Sequence, residues 1–382
     1  MLKRYLLAPG PTPVPPEVLQ SMAMPILHHR APDFIPIIES ALKGLKWLYQ
    51  TENDVLILTS TGTGGMVAAV NNFLNPGEKA LVVNGGKFGE RWTKICKSYG
   101  VAVEEIAVEW GYTVKPALVA EALKKDPSIK AVFIQASETS TGVLHPIREV
   151  AGAVRSSGTD ALFIVDAISG LVAHDLRTDE WGIDVMVAGA QKGLMLPPGL
   201  AFISVSERAW KKAEGVKTPH FYFDLLKERG KQANNQTLFT SAVSLIVGLE
   251  AALKMLRSEG LQNVFARHAR LAEATREAVR AHGLELYPKE NPGNALTAVM
   301  MPEGIDGQEV YKLMRQDYGI TGAGGQDKLK GKIFRIAHLG YADTFDVITA
   351  IAGLEMVLKK LGYDKKPLGT GVARAQELLM VR

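Results

Sequence analysis

The chain of 382 residues is 47% hydrophobic and 22% charged, which is enough apolar material for a large core and, at this length, for two domains. Its net charge of +4 arises from 44 basic and 40 acidic side chains spread without a dense basic block, so neither nucleic-acid nor membrane-surface binding is indicated. A single cysteine, Cys96, excludes an internal disulfide and fits a reducing cytoplasm, the expected location.

Taken in chain order, the start from Met1 to Pro9 is briefly basic and apolar but lacks a hydrophobic region of targeting length. No later run approaches the ~20 apolar residues of a membrane span. A proline-rich opening follows, and from about residue 35 to 250 strand and helix patterns alternate. That alternation predicts a mainly parallel sheet covered on both faces, an α/β fold. Its strands are expected at residues 55–58, 80–83, 131–134, 162–165, 185–187 and 201–205. A helix-rich stretch, 241–260, leads toward a smaller α+β part with strands at 296–301 and 332–337. The expected division is a large domain over residues 15–255 and a small one made of 1–14 plus 256–382. Pro292-Gly293 and Gly322-Ala323-Gly324-Gly325 read as mobile loops, the second close enough in sequence to Arg335 to act as a flap.

Three features carry chemistry. The segment Thr61-Gly62-Thr63-Gly64-Gly65 after the first strand is a glycine-rich turn opening a helix, where bare amides attract phosphate. It is neither a dinucleotide nor a nucleoside triphosphate fingerprint, and the next strand ends in Asn84 where a dinucleotide fold would place an acid. Asp166 ends an apolar strand, and a carboxylate there needs a partner: a turn amide or the protonated ring nitrogen of a pyridine cofactor. Lys192 stands among small and apolar neighbours after another strand. Lysine at its ordinary pKa of roughly 10.4 cannot attack a carbonyl at pH 7, whereas desolvation or a nearby cation frees its lone pair. Lys192 is therefore either a solvated loop residue or a Schiff-base lysine. All these positions follow strand carboxyl ends, where ligands gather in open α/β sheets.

Nearly the whole chain resembles the class V, fold type I pyridoxal phosphate aminotransferases, and within them the alanine:glyoxylate and serine:glyoxylate (serine:pyruvate) group. The matching segments occur in order: Ala8-Pro9-Gly10-Pro11-Thr12-Pro13, His29-Arg30, Thr61-Gly62-Thr63-Gly64 and Asn84-Gly85-Gly86-Lys87-Phe88-Gly89-Glu90-Arg91. They continue with Glu138-Thr139-Ser140-Thr141-Gly142, Val165-Asp166-Ala167, Gln191-Lys192, Phe239-Thr240 and the run from Lys332 to Gly340. The resemblance implies a seven-stranded-type sheet between helices and a cofactor, pyridoxal 5′-phosphate, held by Lys192 with Asp166 at its ring nitrogen. It further implies an aromatic stack from Phe88 and a hydrogen bond from Thr139 to the cofactor's phenolic oxygen. Gln191, Thr63, Gly64 and Gly65 would hold the phosphate, with Thr240 reaching the cofactor of a second subunit in a homodimer. Arg335 would grip the substrate α-carboxylate through two parallel hydrogen bonds, with the Gly10 backbone nearby. No metal is implied. The implied reaction is ping-pong transfer of an amino group from alanine or serine to glyoxylate or pyruvate.

In the alanine:glyoxylate enzymes a tyrosine reaches across the dimer from the position that here is Thr237, which leaves Thr237 or Thr240 to make that contact. Donors such as aspartate or 2-aminoethylphosphonate remain open, as does a subunit role without turnover. A cysteine desulfurase would need a nucleophilic cysteine on a late loop, and Cys96 is early and in an expected helix.

Overall fold

Seven strands form the central sheet in the order Asp54–Ser60, Gly199–Val205, Val185–Gly189, Leu162–Asp166, Ile129–Gln135, Lys79–Asn84 and Ala102–Ala107. The computed structural model describes residues 2–380. Every pairing is parallel except the two made by Gly199–Val205, which runs antiparallel to both neighbours. The six apolar runs of the sequence supply six of these strands. The seventh, Ala102–Ala107, escapes an apolar search because it is an edge strand whose Glu104 and Glu105 stay partly exposed.

Burial on both faces explains why the central strands read as unbroken apolar runs. Side chains alternate across the sheet, so Phe163 and Val165 enter one core while Leu162 and Ile164 enter the other. The first core also takes apolar residues of the helices Ile35–Tyr49 and Val243–Glu259, and the second those of Gly62–Phe73 and Lys87–Ser98. Phe163 is 1% exposed, and truncating such a side chain to alanine costs about 3–5 kcal/mol through lost transfer energy and the cavity left behind.

A third core gathers Leu7 with Val299, Phe334, Ile336 and Leu354. It packs on an antiparallel sheet of Leu296–Met300, Ile333–Ala337 and Ala323–Gly324. The start of the chain joins this layer, since Tyr5–Leu6 pairs in parallel with Ile320–Thr321. The Gly322 to Gly325 run, read from its glycines as a loop, is in part an edge strand: Ala323 and Gly324 pair with Arg335 and Phe334, and Gly325 N–H donates to Ile333 O at 3.1 Å. Among the described residues no helix is long and apolar enough to cross a membrane.

Both layers meet over the carboxyl ends of the parallel strands. The Arg335 guanidinium reaches from the small sheet to the Thr139 carbonyl beyond the strand Ile129–Gln135, at 2.7 Å.

Candidate active site

Lys192 follows the strand Val185–Gly189 in a turn closed by Ala190 N–H to Leu200 O at 3.0 Å and by Met195 N–H to Lys192 O at 3.0 Å. The proline-rich opening straps this turn, with the Thr12 hydroxyl donating to Lys192 O at 2.9 Å and the Lys192 ammonium donating to Pro9 O. Gly10, at φ 115°, lies in the left-handed region that favours glycine, and its open face is where the lysine side chain passes. Desolvation pulls the Lys192 pKa down to about 8; Asp166 opposes this, and Arg335 and Arg91 add to it. About a tenth of the amine is then neutral at pH 7, against well under a thousandth for an exposed lysine.

Asp166, 5% exposed, ends the strand Leu162–Asp166. One carboxylate oxygen accepts from Ile168 N–H at 2.8 Å, and the other accepts nothing from the described residues. Desolvation is the main force raising its pKa to about 7; the Ile168 amide opposes it, Glu138 adds to it, and Arg91 and Lys192 lower it. An anion held this way calls for a cation, and a pyridinium N–H meets that demand.

Arg335, 5% exposed, uses three of its five N–H groups on carbonyls: Nε and Nη2 donate to Gly324 O at 3.1 and 2.7 Å, and Nη1 to Thr139 O at 2.7 Å. One N–H remains on each terminal nitrogen, the number a carboxylate fork needs. Burial lowers the Arg335 pKa to about 10, so it stays a cation at neutral pH.

Around this centre, Thr61 caps the helix Gly62–Phe73 by position only: its side chain bonds no first-turn amide. No side chain of the described residues accepts from the amides of Gly62, Thr63 or Gly64, which leaves an anion-binding end. The Gln191 Oε1 atom is buried without a partner. Phe88 is half-buried at the start of the helix Lys87–Ser98, with the Arg91 guanidinium 4.7 Å from its ring centroid, and it belongs to none of the hydrophobic cores. Thr139 is buried, and its hydroxyl donates to Ser169 Oγ at 2.9 Å.

Thr240 is the predicted residue that this fold does not tie to the others: it is exposed and bonds none of them. Thr237 is buried and donates to Phe239 O at 2.7 Å, which commits its hydroxyl to the local turn. Two residues that reasoning from the sequence passed over also belong to the cluster. Arg91 donates to the Thr63 hydroxyl at 3.2 Å and acts electrostatically on Asp166 and Lys192. Glu138 is fully buried and accepts amide hydrogens from Phe88 and Gly89. Both lie inside motifs already singled out, where one residue drew the attention. Cys96 is buried in the helix Lys87–Ser98, and desolvation pushes its thiol up to about 12, which removes it as a nucleophile.

An amine of lowered pKa, a buried carboxylate lacking a cation and a bare helix end together fit pyridoxal phosphate. Comparison with known proteins agrees. The family model "Aminotransferase class-V" matches residues 4–331. A curated relative from Synechococcus sp. (strain PCC 6716), called soluble hydrogenase, small subunit, is 43% identical over 99% of this chain and 98% of its own. The serine–glyoxylate aminotransferase of Methylorubrum extorquens is 36% identical over 99% of this chain and 96% of its own. Among solved structures, the ureidoglycine–glyoxylate aminotransferase of Bacillus subtilis superposes with a TM-score of 0.92 at 31% identity, covering 99% of this chain and 98% of that one. The chain therefore belongs to the class V aminotransferases, fold type I enzymes that work with pyridoxal phosphate.

Proposed function

We propose that this enzyme moves the amino group of a small amino acid, alanine or serine, to glyoxylate or pyruvate in a ping-pong cycle. The observation that carries this reading is the convergence of Lys192, Asp166 and Arg335 in one cleft, each electrostatically linked to another of the three. Glyoxylate is favoured as acceptor because it recurs in the names of relatives with different donors.

Pyridoxal phosphate, when bound, supplies the electron sink for the electrons left at the substrate α-carbon. Asp166 would hold the ring nitrogen protonated. The amides of Thr63 and Gly64, with Gln191, would hold the phosphate, Thr139 the phenolic oxygen and Phe88 the ring face; the Gly65 amide, expected beside them, donates instead to Thr61 O at 3.2 Å within the helix. Arg335 orients the donor through its two free N–H groups, with Gly10 lining the same side. Lys192 takes the proton from the α-carbon as a base and returns it, a role its lowered pKa suits. In this reading residues 15–255 form the large domain, and 1–14 plus 256–382 the small one. Two chains pair in the cytoplasm as a homodimer in which Thr240 reaches the neighbouring cofactor. A subunit without turnover would tolerate loss of these side chains, yet each position carries a competent one.

The test is a pair of half-reactions. Purified enzyme carrying its visible cofactor band is mixed with alanine, serine, aspartate or 2-aminoethylphosphonate without acceptor, and bleaching is followed. Alanine or serine is expected to bleach fastest, and glyoxylate added after gel filtration should restore the band. Bleaching by aspartate alone would reassign the donor. A product that needs both substrates present at once would reject the ping-pong cycle.

A further inference from the structure

Glu138 is a carboxylate with no exposed surface and no cation in contact, yet every hydrogen-bonding group around it donates. Oε2 accepts from Phe88 N–H and Gly89 N–H, each at 3.2 Å. Oε1 accepts from Ser140 N–H at 3.2 Å and from the Ser140 hydroxyl at 2.5 Å. The Ser140 oxygen in turn accepts from Lys87 N–H at 3.1 Å. Lys87, Phe88 and Gly89 open the helix Lys87–Ser98, whose capping position is Gly86 and thus has no side chain to satisfy those amides. Glu138 supplies the cap from another part of the chain. A Cβ on Gly86 would stand 2.5 Å from Glu138 Cγ and 2.5 Å from Ser140 Oγ, so the missing side chain is what lets the carboxylate in.

The next residue in sequence, Thr139, gives its carbonyl to Arg335 and its hydroxyl to Ser169. Glu138 therefore ties together the segment that carries the Phe88 ring and the segment that receives the substrate-gripping arginine. We propose that Glu138 is a positioning residue, whose carboxylate locks Phe88 and the Thr139–Arg335 contact into one rigid unit, so that cofactor face and substrate clamp are set by the same buried group. The inference rests on the assignment of Phe88 and Arg335 given above. Full satisfaction by four donors is what holds an anion at a site without a cation, and losing one acceptor oxygen leaves buried N–H groups unpaired. Burial nonetheless raises the carboxyl above its ordinary range, against the pull of Ser140 and the amides.

Glu138→Gln keeps the length of the side chain but turns an NH2 toward one pair of donors. With pyridoxal phosphate as the probe, this variant is expected to lose the cofactor about tenfold more readily and to show weaker visible circular dichroism per bound cofactor. The KM for the amino donor should rise about tenfold while the far-ultraviolet spectrum stays native. Ser140→Ala, which leaves the carboxylate in place but removes one donor and the link to Lys87, should move the same readouts in the same direction by less, and it carries the test if Glu138→Gln does not fold. A purely structural Glu138 would lower the melting temperature and leave dichroism and donor KM as in the wild type, which overturns the proposal. Phe88→Leu and Lys192→Ala separate the two levels of inference. If both retain the dichroic band, the reading of the site fails and takes the proposal with it. If they lose the band while Glu138→Gln and Ser140→Ala keep it, only the role of Glu138 is rejected.

Discussion

Gly10 lies flat against the Lys192 side chain: a Cβ on that glycine would stand 2.6 Å from Lys192 Cε. The proline-rich opening thus acts as a wall that fixes where the reactive amine can be, reinforced by Thr12 on the Lys192 carbonyl. Gly10→Ala should push the amine aside and also strain a backbone at φ 115°. A displacement of about 1 Å in a reacting group lowers turnover by about a hundredfold, so kcat should fall steeply with a modest loss of thermal stability. Steady-state kinetics beside a melting curve checks this; wild-type kcat in Gly10→Ala would show that the opening yields without consequence.

Asp166 gives the cofactor-free protein a distinctive pH profile. Its carboxyl titrates at 3.8 when unperturbed and at about 7 in the folded chain, so the folded state holds the proton more tightly. The resulting stabilisation is complete below about pH 4 and is lost as pH rises through 7, a change of about 4 kcal/mol at the most. Because the buried His145, His174, His268 and His338, with lowered pKa values, act in the opposite direction in both proteins, the test is a difference: in urea unfolding between pH 4 and 8 the wild-type apoprotein should lose stability relative to Asp166→Asn as pH rises. Adding pyridoxal phosphate should remove this relative loss, because in the proposed function the ring nitrogen would pair with the ionised form. A stability difference between the two apoproteins that ignores pH in this window would contradict the account.

How far the sequence foretells this arrangement depends on the kind of signal. Asp166 and Lys192 were legible because a charged group directly after an apolar strand breaks a strong local pattern. The six central strands were legible for the same reason, being buried on two faces. Ala102–Ala107 was not, since an edge strand with Glu104 and Glu105 has neither a continuous apolar run nor a clean alternation. The paired state of Ala323 and Gly324 was hidden because glycine reports loops and close backbone contacts alike. Glu138 and Arg91 stand inside recognised motifs, but their roles depend on neighbours far along the chain: Phe88 lies 50 residues from Glu138, and Thr63 lies 28 from Arg91. No spacing rule reaches across such gaps.

Arg335 should not tolerate the change to lysine. Its guanidinium bridges Gly324 and Thr139 and leaves two N–H groups free, which in the proposed function would take the substrate carboxylate, and a single ammonium cannot span those positions. Arg335→Lys should raise the donor KM about a hundredfold, with a smaller effect on kcat once substrate is saturating. A variant with unchanged KM would place carboxylate recognition elsewhere.

Cys96 should be silent. Burial keeps its thiol protonated, with a pKa of about 12, and it lies within the helix Lys87–Ser98, on the side that joins the core. Native protein should resist iodoacetamide at pH 8, unfolded protein should react, and Cys96→Ala should transaminate at the wild-type rate. Rapid labelling of the native thiol together with sulfide release from cysteine would bring back a desulfurase reading.

Thr237 and Thr240 separate a structural hydroxyl from a reaching one. Thr237 is buried and bonded to Phe239 O at 2.7 Å, inside a turn whose Leu238 amide also donates to the buried Glu228. Replacing it with valine leaves the Phe239 carbonyl without its donor and should lower stability by about 1 kcal/mol, without a specific effect on cofactor affinity. Thr240 is exposed and free of such bonds, so Thr240→Val should leave the melting temperature of the apoprotein unchanged. If a second chain offers its cofactor phosphate to this hydroxyl, the same variant should release pyridoxal phosphate several-fold faster, an effect that grows as dilution splits the dimer. Fluorescence-detected cofactor release measured against protein concentration distinguishes the two threonines. Faster release in Thr237→Val but not in Thr240→Val would transfer the intersubunit contact to Thr237, at the position where related enzymes carry tyrosine.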